Sequence, residues 1–255
     1  MTRWTKVAVA TMLLVPAAVG AQSTSPLTCL GTGDVAPPSR ALFARLVVGG
    51  STLDLTPCLR GAGKVHTLSA TFFLAGVSSG TINATYDEDP FINVALASTN
   101  IGAGPTDYTF FFSTPIVGGV YTNAISSLSG SLTAGATEGT LTNQPGPIPF
   151  LRGYGTNNGA PTGLGVDIGV ATCATTTSVN CPAAPAAGAN AFAPTFYNDL
   201  EAELSYRQGG AGSQAAFTGR VEIFTSTVPE PATLALFATG AVVLGAGTLA
   251  RRRRR

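Results

Sequence analysis

Gly76-Val77-Ser78-Ser79-Gly80 has the G-x-S-x-G spacing of a hydrolase nucleophile elbow. That chemistry needs a strand before the serine, a helix after it and a histidine downstream. Here Thr81–Thr85 reads as strand, and the one histidine of the chain, His66, lies upstream of Ser78. Two of the three requirements fail, so the segment reads as a Gly/Ser turn. Gly31-Thr32-Gly33-Asp34-Val35-Ala36 matches the loose dinucleotide fingerprint, but no strand precedes it and Pro37-Pro38 stops any helix after it. Asp87-Glu88-Asp89 is the densest acid cluster. Clustered carboxylates on a loop can hold calcium, which makes Asp87 and Asp89 the calcium candidates. Their spacing fits no EF-hand or nonapeptide loop, so a solvated turn is the expected state. Asp199, Glu201 and Glu203 recur at every second residue and line one strand face. Nothing in the sequence selects a glycosidase-type pair from them. The residues complete no catalytic constellation, and the expectation is a protein that is not an enzyme and carries no resident cofactor.

Cys29, Cys58, Cys173 and Cys181 are an even set without CxxC spacing, and a single histidine cannot complete a zinc site. They read as two disulfides of an oxidising compartment, with three connectivities open. The local pairing, Cys29 with Cys58 and Cys173 with Cys181, closes the shorter loops and is the expected one.

The formal charge of +1 hides an uneven distribution. Arg3 and Lys6 lie at the start and Arg251 to Arg255 at the end, leaving seven basic residues against twelve acids in residues 22–227. An acidic body argues against a nucleic-acid partner, which requires a basic footprint.

The two ends are the elements that position everything else. Arg3 and Lys6, the apolar run Val7–Val19 and the small residues Val19-Gly20-Ala21 read as a signal peptide over residues 1–21, with Gln22 the first mature residue. At the other end Ala232–Ala250 holds nineteen residues without a charge. As a helix they reach about 28 Å, close to a hydrocarbon core of about 30 Å. Arg251, Arg252, Arg253, Arg254 and Arg255 follow as a stop-transfer cluster on the cytoplasmic side, which puts the body across the inner membrane. Pro229 and Pro231 around Glu230 donate no backbone hydrogen bonds and keep the neck extended.

Pro229-Glu230-Pro231, the apolar span and the terminal arginines, in that order over Val228–Arg255, resemble the PEP-CTERM sorting signal. The resemblance implies recognition by a membrane-embedded exosortase in an exopolysaccharide-producing Gram-negative bacterium. It further implies cleavage near Pro229–Pro231, a transient inner-membrane anchor, and delivery to the periplasm, cell surface or extracellular matrix. Asp89-Pro90-Phe91-Ile92, Phe110-Phe111-Phe112 and Ser113-Thr114-Pro115-Ile116 also look like the exported domains that often precede this signal.

The body, residues 22–227, is rich in Gly, Thr, Ser, Ala and Asn and poor in charge. Short apolar runs between Gly, Pro and Asn clusters give the all-β pattern. Strands are expected over Lys64–Val77, Thr81–Tyr86, Phe91–Ala97, Thr106–Ser113, Gly119–Ile125, Leu128–Ala134 and Leu164–Ala171, with Gln144–Pro149 a loop and Pro182–Pro194 an extended excursion. In Asn198–Tyr206 the residues Leu200, Ala202, Leu204 and Tyr206 share one face, and in Ala215–Thr225 Phe217, Val221 and Ile223 do. These two segments read as a hairpin, with Arg220 pairing Glu201 or Glu203 across it. The expected architecture is an antiparallel β-sandwich, jelly-roll-like or Ig-like, followed by one transmembrane helix. The expected role is that of a surface or exopolysaccharide-matrix structural protein, the alternative a carbohydrate- or calcium-binding module. For sugar stacking the body offers no Trp, only Tyr86, Tyr108, Tyr121, Tyr154, Tyr197 and Tyr206.

Overall fold

The computed structural model describes residues 26–36, 42–146, 148–169, 172–182 and 186–225. The leader and the tail from residue 226 onward lie outside these residues, as do the expectations placed on them. Fifteen strands follow in order: β1 (Leu27–Cys29), β2 (Phe43–Val48), β3 (Ser51–Asp54), β4 (Leu59–Arg60), β5 (Val65–Leu74), β6 (Ser78–Asp87), β7 (Phe91–Asn100), β8 (Thr106–Thr133), β9 (Gly139–Thr142), β10 (Leu151–Asn157), β11 (Ala160–Gly163), β12 (Cys173–Thr175), β13 (Ser178–Asn180), β14 (Ala186–Gly209) and β15 (Gln214–Phe224). One 3-10 turn, Thr56–Cys58, interrupts them. The described residues are all-β apart from that turn, and every pairing is antiparallel, in the order β1-β5-β6-β7-β15-β8-β14-β10-β11.

Two strands are far longer than the five or six residues usual in globular proteins, and they explain the layering. The first half of β8, Thr106–Ser113, lies between β2 and the end of β14. Its second half, Asn123–Thr133, pairs with β15. The sheet thereby folds over on itself into two facing layers, one of β5, β6, β7, β15 and late β8, the other of β2, early β8, late β14 and β10.

Period two then builds the core. On the first layer Ile82 stands opposite Leu96 and Leu96 opposite Phe217, and Tyr86, Ile92 and Val221 form a second row. The second layer contributes Leu46, Phe110, Phe112, Leu204 and Tyr206, all buried. Rings meet between the layers, Tyr86 with Phe112 at 6.3 Å and Tyr206 with Phe217 at 4.8 Å between centroids. Glycine in β10 answers to this packing: a Cβ on Gly155 would stand 2.6 Å from the Tyr197 ring.

The alternations of Asn198–Tyr206 and Ala215–Thr225 have the expected inward faces. Their pairing differs. β14 and β15 form no hairpin with each other: late β14 pairs with early β8 and β10, whereas β15 sits between β7 and late β8. Arg207–Ser213 carries the chain from one layer to the other. Arg220 accordingly pairs with Glu222 at 2.7 Å and covers the Phe91 ring, while Glu203 pairs with Arg152. The segments Thr106–Ser113, Gly119–Ile125 and Leu128–Ala134 belong to one strand, β8. Most of the Ala/Pro-rich excursion is the beginning of β14, where Ala186–Ala191 pairs with Asn123–Leu128 of β8. Of the expected strand Leu164–Ala171, the described part, 164–169, is no strand; Ile168 makes an isolated bridge to Leu151 instead.

Candidate functional site

Ser78 opens β6 after the tight turn Ala75-Gly76-Val77, where Gly76 has a positive φ of 71°. Its hydroxyl is buried, accepts from the Tyr108 hydroxyl at 2.7 Å and donates to the Thr99 carbonyl at 3.1 Å. His66 is paired with Tyr86, eight residues along β6 from Ser78, about 26 Å away at strand rise. The two do not meet, and Ser78 belongs to a buried polar network. Ser98 Oγ donates to Gln208 Oε1 at 2.7 Å, which leaves Tyr206 to donate its hydroxyl to Ser98 at 2.8 Å. Gln208 Nε2 in turn donates to the Ser213 carbonyl at 2.7 Å. Burial pushes the Tyr108 phenol up to about 12, the Ser78 hydrogen bond acting the other way, and burial also lifts Tyr206 well above the usual phenol range.

The cysteines pair locally. Cys29 bonds Cys58, tying β1 to the 3-10 turn, and Cys173 at the start of β12 bonds Cys181 just after β13. Among the described residues no cysteine is free and no three His, Cys, Asp or Glu side chains are placed to hold a metal. Asp87 Oδ1 accepts from the Asp89 backbone N–H at 2.9 Å, an Asx turn between β6 and β7.

Five of the six tyrosines are core residues: Tyr86, Tyr108, Tyr121, Tyr197 and Tyr206 are buried. Tyr154, on β10, is half-buried and lines a cleft of about 260 Å³ on the outer side of the second layer. Phe43, Phe111 and Pro161 form its apolar walls, and Glu201 and Glu203 enter from β14. Register does this: Tyr154 stands opposite Glu201, and Arg152 opposite Glu203. Arg152 Nη2 donates to Glu203 Oε1 at 2.6 Å, and Thr156 Oγ1 donates to Glu201 Oε1 at 3.0 Å. Burial and the neighbouring Glu203 raise the Tyr154 pKa; burial and then Glu201 raise that of Asp199. Two oriented carboxylates beside an aromatic face can accept from vicinal hydroxyls while the ring packs on C–H groups. Sequence reasoning did not assemble this cleft because Gly153 and Gly155 obscured β10; the alternation of Arg152, Tyr154 and Thr156 was the available signal.

The outer side of the first layer is different. Two adjoining hollows of about 490 and 530 Å³ cross β6, β7, β15 and β8, lined by small polar groups such as Asn83, Asn93, Ser129 and Thr218 with Arg220 at one end. Among the described residues no helix is long and apolar enough to cross a membrane; 232–250 lies beyond them.

A disulfide-bonded all-β body followed at once by a distinct tail is the anatomy of an exported cargo. That tail, residues 227–255, matches the model of the PEP-CTERM protein-sorting motif. The chain is thus an exported protein sorted through the cell envelope, and the motif implies processing by an exosortase. No curated protein matches the chain. Among solved structures, TmCBM61 in complex with beta-1,4-galactotriose is similar at 9% identity over 58% of this chain and 88% of that one, with a TM-score of 0.26. The CBM22-1 xylan-binding domain from Paenibacillus barcinonensis Xyn10C is similar at 12% identity over 66% and 86%, with a TM-score of 0.24. At such TM-scores neither likeness carries an argument about this chain.

Proposed function

We propose that this is a structural protein of the cell surface or exopolysaccharide matrix, not an enzyme. Its leader, residues 1–21, is removed on export. Its β-sandwich body, jelly-roll-like or Ig-like, residues 22–227, is held by a transient helix over 232–250 and released or transferred by cleavage near Pro229–Pro231. The observation that carries this reading is the sorting motif, which begins three residues after β15 ends. Mass spectrometry of the surface protein should find Gln22 as the first residue and no trace of Arg251–Arg255. In cells lacking the exosortase the C-terminus should persist. An intact C-terminus on surface protein from cells that have the enzyme would defeat the reading.

A second reading, a saccharide-binding module, is favoured by the Tyr154 cleft with its aromatic walls and oriented carboxylates. Tyr154→Ala and Glu201→Gln should each weaken binding on a glycan array at least tenfold without lowering the melting temperature by more than a few degrees. Wild-type protein that binds no glycan, or binding indifferent to both substitutions, removes this reading.

A further inference from the structure

The chain leaves its folded body at Phe224, at one end of the layers, and large apolar side chains are exposed beside that exit. Phe224 is 37% exposed, Val117 51%, Val120 48% and Phe196 47%. Phe224 is in register with Asn123 of β8, and β8 runs opposite to β15. Val120 therefore lies three residues, about 10 Å, beyond Phe224 in the direction in which β15 is heading. Phe196 stands opposite Val120 on β14 and closes over Gly118, where an added Cβ would come within 3.2 Å of the ring. The result is an apolar tip on the β8–β14 arm, set alongside the path that the departing chain starts on. From Phe224 to Ala232 is eight residues, a reach of at most about 28 Å.

We infer that in the unprocessed protein this tip rests on the lipid bilayer, with Phe196, Val120 and Val117 at the acyl boundary. The inference rests on the proposed membrane helix over 232–250. A neck of this length, even fully extended, cannot carry the body far from the surface, and at the end that must face the lipid Val117, Val120, Phe196 and Phe224 stand uncovered together, while Phe73 and Ile101 are exposed elsewhere. Lys64, Asp87, Glu88 and Asp89 border the same end: the Lys64 carbonyl accepts from the Glu88 N–H, and the Glu88 carbonyl from the Val117 N–H. That border is net acidic, so the surface it suits is zwitterionic rather than anionic. Seated this way, the body presents Pro229–Pro231 at the depth where a membrane-embedded enzyme works.

Phe73 provides an internal control. It is also 47% exposed, but it lies near the far end of β5, eight residues or about 26 Å from Val65. The full chain with Trp4→Phe and either Phe196→Trp or Phe73→Trp is reconstituted in phosphatidylcholine vesicles whose acyl chains carry bromine. Trp at 196 should be quenched at least twofold more than Trp at 73 and should emit further to the blue. Equal quenching in protein that floats with the vesicles overturns the inference and leaves the membrane helix standing. Protein that fails to float with the vesicles overturns the membrane helix, and the inference with it.

Discussion

Tyr206→Ala should destabilise the body by about 4–5 kcal/mol, the upper range for losing a large buried ring. Its ring is stacked on Tyr108 at 4.9 Å, meets Phe217 at 4.8 Å and has Phe110 and Phe150 slightly beyond 6 Å. These neighbours come from both layers and are held by backbone pairing, so they cannot collapse into the space left behind. The substitution also strips Ser98 of its donor. At roughly 2–4 °C per kcal/mol for a domain of this size, the melting temperature should fall by about 10–15 °C. Tyr206→Phe keeps the ring and loses only the hydroxyl, for about 1 kcal/mol. Urea unfolding of the two variants separates the contributions. A loss below about 2 kcal/mol for the alanine variant would mean that the layers are not joined through this ring.

Removing the Cys29–Cys58 bond with Cys29→Ala and Cys58→Ala should cost about 3–4 kcal/mol. The partners are 29 residues apart, and loop-closure entropy for that separation is worth roughly 3.6 kcal/mol. The Cys173–Cys181 loop spans only 8 residues and should be worth roughly 2.5 kcal/mol by the same estimate. Unfolding with and without reductant is the check. Reductant should lower wild-type stability by the combined contribution of both bonds and lower the double variant by only that of the shorter loop. A variant as stable as wild type under oxidising conditions would show that β1 is held to the body without its bond.

Periodicity was informative about faces and poor about neighbours. Leu200, Ala202, Leu204 and Tyr206 alternate with polar residues, and alternation fixes which side of a strand is dry whatever lies next to it. It does not say which strand lies next to it. The Gly-rich turn after Arg207 suggested a hairpin, yet the same residues span the two layers. Pro115 and Gly118 lie in the gap left between the expected strands Thr106–Ser113 and Gly119–Ile125, and such residue types usually punctuate. In β8 they fall where the strand passes from one layer to the other and the pairing register shifts near Tyr197–Asp199, so they ease a bend rather than end a strand. Leu42, Ala44, Leu46 and Val48 alternate clearly before Gly49-Gly50, and β2 was legible there without being drawn out. The Tyr154 cleft depends on five strands meeting, a property of pairing that no single segment carries. The sorting tail was the most legible part, since its order of neck, apolar span and arginines is linear in the sequence.

The position of β15 has a mechanical consequence. It is bonded on both flanks, to β7 from Gln214 to Glu222 and to β8 from Gln214 to Phe224. Tension applied at Phe224 pulls along its axis, at right angles to its hydrogen bonds. Those bonds are then sheared together instead of being peeled open one after another. A pull applied at the C-terminal end of the body is therefore met in its strongest direction.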